Sequence, residues 1–472
     1  MTRTESAGFD TLVIGAGISG LAFAHERLRA RPAERLLVLE ASDRPGGLVR
    51  THVHEGLRFE EGPEALPGNA RTVRELCQEL GLAVQETPRE ASKRYLLIEQ
   101  KLLEVPSSPA DLATSRVLGF GAKLRLMAES TCARDVALDG SIADFARHRF
   151  GKEALERVVE PLVAGIHAGD PEQLSLRACF PEVARMVEEH GSITAALKAR
   201  TVQKDTVQKD TAQRDAEKKQ QAKPSGAGGS PLAGALFKPA GGMEALTRAL
   251  AQTLGTHLCT NARVRTVEHS GAGFAVLEES GVRHLARRVV LALPLAGART
   301  LLARPAPDAA AALSSMTAES LVSVVHAYRR ADVAHALDGF GYLAPKGAGG
   351  LVLGTLFSSS LAPEAAPAGQ VLLRSLLGGA RNPGALELSD EALLAHVARE
   401  CGGPLGLARA PFFAHVARWP AVIPRFDLEH LARRERLARG LPPGLSVLGN
   451  FTRGIGLEAL ASEARALALR FG

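Results

Sequence analysis

Three glycines near the beginning of the chain have the spacing of a turn that binds a dinucleotide. Gly15, Gly17 and Gly20 read G-x-G-x-x-G, and Glu40 follows twenty residues after the third glycine. In such turns the first glycine permits a tight bend, the second lets the backbone approach a pyrophosphate, and the third lets the helix pack closely on the strand. Glu40 is placed to accept hydrogen bonds from ribose hydroxyls. These residues predict a dinucleotide-binding site.

The glycines need a strand before them and a helix after them, and the sequence supplies both. Residues 11–14 form an apolar run, an alanine- and leucine-rich helical pattern follows the glycines, and a second apolar run ends at Glu40. This order predicts a βαβ unit whose helix directs its N-terminal N–H groups at the phosphates. A glycine-rich turn without a ligand is the alternative, but strand, helix and acid are all in register for binding.

Length and composition bound the class of protein. At 472 residues the chain is expected to form two or three domains or one elaborated α/β enzyme. A hydrophobic fraction of 46% and a charged fraction of 23% are typical of globular proteins and argue against disorder or a membrane span as the overall class. Aromatic residues, at 4%, are too scarce for a platform that stacks single-stranded nucleic acid, so we expect no nucleic-acid partner. The net charge of +6 does not by itself decide the partner.

The cysteines indicate a reducing compartment. They are odd in number, widely spaced and without a C-x-x-C pair, which is typical of reduced intracellular thiols; they are Cys77, Cys132, Cys179, Cys259 and Cys401. No H-E-x-x-H motif or Cys/His cluster occurs, so the sequence predicts no metal site. The first strand follows too soon for a secretory signal, and no apolar run has membrane-spanning length. We therefore expect a cytoplasmic protein, at most peripheral to the inner face of the cell membrane.

A second glycine motif follows the second strand. Arg44, Gly46 and Gly47 form R-x-G-G, which resembles the flavin-containing amine oxidase superfamily, where this turn lies along the FAD diphosphate. The resemblance favours FAD over NAD as the cofactor. A solvated surface arginine is the alternative for Arg44 outside this context.

The pattern of elements predicts an α/β fold with an added helical part. A discontinuous Rossmann-like FAD-binding domain is expected, with a mainly antiparallel sheet in the substrate domain and an inserted helical subdomain. The FAD-binding domain is predicted over 8–68, 234–300 and 441–472, and the substrate-binding domain over 69–111 and 301–440. Helical periodicity predicts the subdomain over 112–200. The repeats TVQKD, TVQKD and TAQRD indicate a low-complexity surface linker over 201–233.

Segments spread over nearly the whole chain resemble one family, protoporphyrinogen oxidase, the oxygen-dependent FAD enzymes of haem biosynthesis. The matching segments include KRYLLIEQKLLEVPSSP, GIHAGDPEQLSLRACFPEV, FKPAGGMEAL, GFGYLAP, LLGGARNP and the terminal GNFTRGIGL. The run around Gly165 is the most diagnostic of them. The resemblance implies a tetrapyrrole held between the sheet and the helical subdomain, with hydride leaving a methylene-bridge carbon for flavin N5 and molecular oxygen reoxidising the flavin. It also implies a helical subdomain against a membrane, and it leaves a homodimer open.

The resemblance assigns roles to individual residues. Arg94 is expected to face a substrate propionate, Leu353 and Leu376 to sandwich the macrocycle, and Gly165 to belong to the same catalytic region. From patterning alone, a plain surface arginine is an equal alternative for Arg94. Motifs and resemblance together assign the flavin site to Gly15, Gly17, Ile18, Ser19, Gly20, Glu40, Ala41, Arg44, Gly46, Gly47, Gly62, Pro63, Val264, Gly449, Ile455, Gly456 and Leu457.

The chain departs from the family pattern around the expected flavin ring. Glu458 lies in a run that is V-N-D-C-I-like in the family, and its carboxylate is expected near the flavin pyrimidine end or in solvent. The other departures are Glu64, Arg425, Phe426, Glu429 and Thr452. Two alternatives therefore stay open. One is a related flavin oxidoreductase acting on coproporphyrinogen or another apolar or amine substrate, and the other is an inactive flavin-binding paralogue.

Overall fold

Two seven-stranded sheets organise the protein, which is described by a computed structural model over residues 8–131, 138–199 and 236–471. The predicted repeat linker, 201–233, lies outside the described residues. The strands are β1 Phe9–Ile14, β2 Leu36–Leu39, β3 Thr51–His54, β4 Leu57–Glu60, β5 Leu66–Pro67, β6 Val84–Glu86, β7 Lys93–Ile98, β8 Lys101–Glu104, β9 Leu236–Pro239, β10 Leu258–Cys259, β11 Val264–Ser270, β12 Gly273–Glu278, β13 Arg283–Ala292, β14 Ala318–Arg329, β15 Gly339–Leu343, β16 Val352–Leu356, β17 Gln370–Gly378, β18 Phe413–Pro424 and β19 Leu445–Leu448.

Helices connect and cover these sheets. They are α1 Ile18–Ala30, α2 Arg71–Glu79, α3 Pro109–Thr114, α4 Phe120–Met127, α5 Ile142–Phe150, α6 Lys152–Ala154, α7 Glu160–His167, α8 Leu176–Cys179, α9 Pro181–His190, α10 Glu244–Leu254, α11 Leu295–Leu302, α12 Pro307–Ser314, α13 Ser358–Leu361, α14 Asp390–Leu405, α15 His430–Gly440 and α16 Leu457–Arg470. Within the described residues, no helix is long and apolar enough to cross a membrane.

The first sheet has the strand order β10-β2-β1-β13-β12-β11, with β19 beside β13. Its centre is parallel: β1 pairs with β2 and β13, and β13 pairs with β19. The last four residues of β1 are fully buried, as expected for a central strand whose two faces are both covered. The carboxyl ends of the parallel strands meet at one edge, which is where α/β folds bind ligands. The predicted Rossmann-like domain is confirmed.

Helices cover both faces of this sheet, and some of them come from segments that were predicted to belong to the substrate domain. On one face, Val73, Leu76 and Cys77 of α2 share a core with Val13 and Phe23. β6 also pairs with β9. Residues 70–86 therefore pack with the cofactor domain, although the sequence placed 69–111 in the substrate domain.

The opposite face is covered by α11, which lies mostly in the predicted cofactor-domain range 234–300, and by α12 and α15, which lie in the predicted substrate range 301–440. Leu301 and Leu313, from α11 and α12, and Leu437 of α15 pack with Leu12. A parallel sheet needs apolar cover on both faces, and sequence periodicity does not show which sheet a helix joins. The predicted substrate range 301–440 therefore contains two segments of cofactor-domain cover.

The second sheet has the order β18-β14-β17-β16-β15-β7-β8. Every adjacent pair is antiparallel except β15 with β7, which confirms a mainly antiparallel sheet. Leu96 and Ile98 of β7 pack on Val117, Leu118 and Ala154 of the helical part, so helices cover one end of the sheet. The helical part therefore rests on the end of the sheet that contains β7.

Candidate functional site

The first glycine turn follows β1, and the surroundings of its three glycines explain differently why each position is a glycine. Gly15 has φ of +103°, and a Cβ there would lie 2.3 Å from the Ala292 carbonyl oxygen. A Cβ on Gly20 would lie 2.0 Å from the Gly15 carbonyl oxygen. At Gly17, by contrast, an added Cβ would meet no atom within 4 Å. Gly15 and Gly20 are thus required by the fold, whereas Gly17 borders open space.

The helix that follows presents its N-terminus to this space. Gly17 is the N-cap of α1, and no side chain caps the helix. Ile18, Ser19 and Gly20 form the first turn and are buried. Their backbone N–H groups have no intrahelical acceptor, which is the arrangement that binds phosphate at helix N-termini.

The second glycine turn packs directly on the first. The Gly46 N–H donates to the Ala16 carbonyl at 2.7 Å, and Gly46 forms a β-bridge with Gly17. A Cβ on Gly47 would lie 3.4 Å from the Gly17 Cα. Arg44 Nη2 donates to the Gly47 carbonyl at 2.8 Å and so braces its own turn. The fold brings the two motifs into one cradle.

Glu40 lies at the carboxyl end of β2, facing the first turn. One carboxylate oxygen accepts from the Ala16 N–H at 2.8 Å, and the other accepts from the Ser42 N–H at 2.9 Å. The Ala262 N–H donates to the Glu40 carbonyl at 2.8 Å, two residues before β11 begins at Val264. Glu40, the adjacent Ala41 and Val264 therefore lie in neighbouring segments, on the side where the nucleoside is expected.

The C-terminal turn reaches the same edge of the sheet. Leu448 of β19 pairs with Ala292, and a Cβ on Gly449 would lie 2.9 Å from the Leu293 carbonyl oxygen. Ile455 is half-buried, and Gly456 is the exposed N-cap of α16, which starts at Leu457 without a side-chain cap. A second helix N-terminus is therefore presented beside the first, as a two-part cofactor needs.

The loop at Gly62 and Pro63 is tied to the second sheet by an arginine that the sequence reading missed. Arg374 of β17 is buried, and it donates to the Gly62 carbonyl at 2.5 Å and to the Glu61 carbonyl at 2.9 Å. Its guanidinium also lies 3.3 Å from the Glu64 carboxylate. The sequence did contain a signal for it, because Arg374 interrupts the apolar run VLLRSLLGG. An arginine within a buried strand normally has a partner, so this residue could have been predicted to bind an acidic or carbonyl group.

Arg94 lies on the same face of that sheet as Arg374. The register runs across the strands through Arg94, Gly341, Leu356 and Arg374. Arg94 donates to the Ser92 carbonyl at 2.7 Å, and its guanidinium lies 4.5 Å from the ring centre of Phe340. Among the described residues it contacts no carboxylate, and burial lowers its pKa. A half-buried cation without an anion is suited to bind one from a ligand.

The other residues expected at the substrate are neighbours in the next row. Leu376 pairs with Gly354, which pairs with Leu343, and a Cβ on Gly165 would lie 2.6 Å from the Leu343 Cδ2. Gly165 thus lets α7 approach the sheet. Leu353 is only 2% exposed, whereas Leu376 is half-buried. Leu376 therefore has surface to offer, whereas Leu353 is packed inside; the expected sandwich of the macrocycle by these two residues stays a prediction.

Glu458 is half-buried and bonded within the protein, so the expectation of a solvated carboxylate was wrong. Its carboxylate accepts from the Thr72 N–H at 2.9 Å and from the Val73 N–H at 3.0 Å. These groups lie in the first turn of α2, whose own N-cap, Ala70, has no capping side chain. Glu458 therefore caps a helix that is distant in sequence.

The other departures make structural contacts of their own. Thr452 donates to the Gly449 carbonyl at 2.6 Å, and Arg425 binds Glu319 with contacts of 2.6 and 2.8 Å. Phe426 is buried and stacks on a histidine with ring centres 4.0 Å apart. Thr452, Arg425 and Phe426 therefore all make contacts within the protein, outside the two glycine turns.

A cleft of about 690 Å³ opens between the helical part and one end of the second sheet. Its lining is largely charged and includes Lys152, Glu156, Glu160 and Arg381. None of the residues assigned to cofactor or substrate lines it. It is therefore separate from the row that contains Arg94.

Comparison with known proteins identifies the family and several relatives that this chain resembles. The model of the family described as flavin containing amine oxidoreductase matches residues 18–454. Chloroplastic protoporphyrinogen oxidase of Oryza sativa is 32% identical, covering 95% of this chain and 85% of its own. Coproporphyrinogen III oxidase of Mycobacterium bovis is 30% identical, and that of Bacillus subtilis is 25% identical, each with at least 95% of both chains covered.

Solved structures share the fold. A protein of Exiguobacterium sp. 255-15, provisionally named protoporphyrinogen oxidase, superposes with a TM-score of 0.80 at 20% identity, covering 99% of both chains. Putrescine oxidase bound to putrescine superposes with a TM-score of 0.71 at 18% identity, covering 100% of this chain and 99% of its own. At these identities the likeness shows the fold alone.

Proposed function

Because this chain belongs to the flavin-containing amine oxidoreductase family, we propose that it oxidises protoporphyrinogen IX to protoporphyrin IX with molecular oxygen. FAD is its cofactor, and the chain is an FAD oxidoreductase. The relatives named protoporphyrinogen and coproporphyrinogen III oxidase support a porphyrinogen as substrate. The single observation that carries the proposal is the position of Arg94.

Arg94 and Leu376 lie on one face of the second sheet, separated by three strand spacings. At about 4.8 Å per spacing, and with Leu376 two residues further along its strand than Arg374, they are roughly 16 Å apart. This span suits a tetrapyrrole macrocycle that lies on Leu376 and extends one propionate to Arg94. The guanidinium would form a charge-assisted hydrogen bond with that propionate, and the apolar rows would bury the ring.

The residues of the cradle would hold FAD. Gly17 leaves room for the diphosphate, the N-termini of α1 and α16 offer N–H groups, and Glu40 offers an acceptor for the ribose. When bound, FAD supplies a hydride acceptor that oxygen can reoxidise. Arg374 holds the loop at Gly62 against the second sheet. This contact would fix the position of the cofactor site relative to the substrate site.

The number of propionate groups distinguishes the two candidate porphyrinogen substrates. Coproporphyrinogen carries four propionates and protoporphyrinogen two, so each additional propionate must be neutralised or solvated. On the row containing Arg94, the other arginine is Arg374, whose donors already bind Glu64 and backbone carbonyls. One available guanidinium favours the substrate with fewer carboxylates.

Anaerobic mixing of the FAD-loaded protein with each substrate tests the proposal. Protoporphyrinogen should bleach the flavin absorbance faster than coproporphyrinogen, and admitting oxygen should restore the flavin and release hydrogen peroxide. Bleaching by amines alone would instead assign a different oxidase, whereas a yellow protein that no substrate reduces would be an inactive flavin-binding paralogue.

We also propose that α4 contacts an anionic membrane surface. Phe120, Leu124 and Met127 lie on one side of this helix and are 78%, 51% and 70% exposed, with Lys123 and Arg125 beside them. Apolar and basic side chains together suit an interface of anionic lipid. Co-sedimentation with vesicles containing phosphatidylglycerol should be lost in the Phe120→Ser/Leu124→Ser variant, and equal binding by both proteins would disprove the contact.

A further inference from the structure

Three side chains with good metal-ligand chemistry meet where the β3–β4 hairpin packs on the second sheet. His52 is on β3, Glu61 directly follows β4, and His415 is on β18. His52 Nε2 lies 2.9 Å from one Glu61 carboxylate oxygen, and His415 Nε2 lies 3.8 Å from the other. All the ligand atoms are within 4.8 Å of one another.

We propose that His52, His415 and Glu61 form a binding site for a divalent transition-metal ion of the Zn²⁺ type. Two imidazoles and one carboxylate are ligands that Zn²⁺ accepts readily, with a solvent molecule in the fourth position. The set is unsuited to Ca²⁺ or Mg²⁺, which require a shell made mainly of oxygens.

The spacing agrees with tetrahedral coordination. Ligand distances of about 2.0–2.2 Å place tetrahedral ligand atoms roughly 3.4 Å apart. The observed 2.9 and 3.8 Å lie on either side of this value but run to different Glu61 oxygens, so the side chains must turn for one oxygen and both imidazoles to complete the shell. Among the described residues, His415 Nε2 is buried without a hydrogen-bond partner and points towards the Glu61 carboxylate.

One more charged group faces the Glu61 carboxylate. Arg50 Nη1 lies 3.8 Å from Glu61 and is 45% exposed, so it can turn into solvent when an ion enters.

An ion at this site would join two parts of the molecule. It would link the hairpin that follows the R-x-G-G turn to β18 of the substrate sheet. The backbone of Glu61 already accepts a hydrogen bond from Arg374, and Gly62 follows directly. The ion would therefore stabilise the loop between the two sites and raise the thermal stability of the protein.

The test uses the untagged, FAD-loaded full chain, stripped with a chelator and titrated with Zn²⁺ or Co²⁺. We expect one ion per chain, a rise in melting temperature, and a Co²⁺ spectrum typical of tetrahedral coordination. His52→Ala and His415→Ala should each weaken binding at least tenfold, since losing a mere supporting group costs ten- to hundredfold.

His54→Ala is the matched control, because His54 lies on the same strand, is exposed and stacks on Phe413. This variant should bind the ion as the parent protein does. FAD content and circular dichroism establish that each variant is folded. Equal binding by all the proteins, or no stoichiometric binding by the parent, would overturn the proposal and leave His52 and Glu61 as a structural ion pair.

Discussion

Arg94 and Arg374 share one cross-strand row of the substrate sheet but have opposite surroundings. Arg374 is surrounded by two backbone carbonyls, the Ser323 hydroxyl and the Glu64 carboxylate. Arg94 reaches a backbone carbonyl and the face of Phe340. One arginine is therefore committed to the protein and the other is available to a ligand, although both have the same register on the sheet.

Replacing Arg94 should weaken substrate binding without affecting the cofactor. A charge-assisted hydrogen bond is worth about 1.5–3 kcal/mol, so Arg94→Ala should raise KM for protoporphyrinogen by roughly tenfold or more. Arg94→Lys should retain part of the affinity, because the charge remains. Arg89→Ala is the control, since Arg89 is exposed nearby. Loss of FAD from Arg94→Ala would contradict the assignment.

Replacing Arg374 should destabilise the protein, because Glu64 would remain buried without its partner. Removing one member of a buried pair costs about 3–5 kcal/mol. Arg374→Met/Glu64→Gln should recover at least about 1 kcal/mol of that loss, measured by denaturant unfolding. A double-mutant cycle with strictly additive effects would show that the two side chains are not coupled.

Gly17 and Gly20 should separate cofactor binding from folding. Gly17→Ala places its methyl group in open space, so the chain should fold with its usual thermal stability as apoprotein but bind FAD more weakly. Gly20→Ala brings a methyl group against the Gly15 carbonyl, so it should lower the folded yield itself. Flavin absorbance per folded chain distinguishes the outcomes, and equal FAD content in Gly17→Ala would refute the cradle.

Glu458→Ala should remove the cap of α2 and leave the flavin spectrum unchanged. Losing a capping group costs about 1 kcal/mol, and Glu458 caps two N–H groups. Glu429→Ala is the control, because that exposed glutamate should contribute less than about 0.5 kcal/mol. A shifted flavin absorption band in Glu458→Ala would place the carboxylate near the ring after all.

Glu60 should make stability depend on pH. Burial, with a smaller effect of Glu64, raises the pKa of Glu60 from 4.5 to about 7. The folded state then holds the proton more tightly than the unfolded state, so this residue makes stability fall as pH rises from about 4.5 to about 7, by at most about 3 kcal/mol. Above that range the effect is constant. Glu60→Gln should flatten this part of the stability curve, and parallel curves for both proteins would exclude the linkage.

Much of the fold could be predicted from local sequence patterns. Residues 9–40 predicted β1, α1 and β2 because glycine spacing and apolar periodicity are properties of neighbouring residues. The C-terminal strand, glycine turn and helix followed from the same kind of signal. The packing of α2 and α12 could not be predicted, because their side chains do not reveal which sheet they will cover.

The sequence by itself determined that a dinucleotide turn exists, that FAD fits its second motif, and that Arg94 belongs beside an apolar strand. Only the tertiary structure decided that Glu458 caps α2, that Leu353 is packed inside, and that Arg374 holds the loop at Gly62. It also brought His52 and Glu61 to His415, more than three hundred residues away in the chain. The physical reason is that turns and helices depend on short-range chain chemistry, whereas these contacts depend on strand register and packing between distant segments.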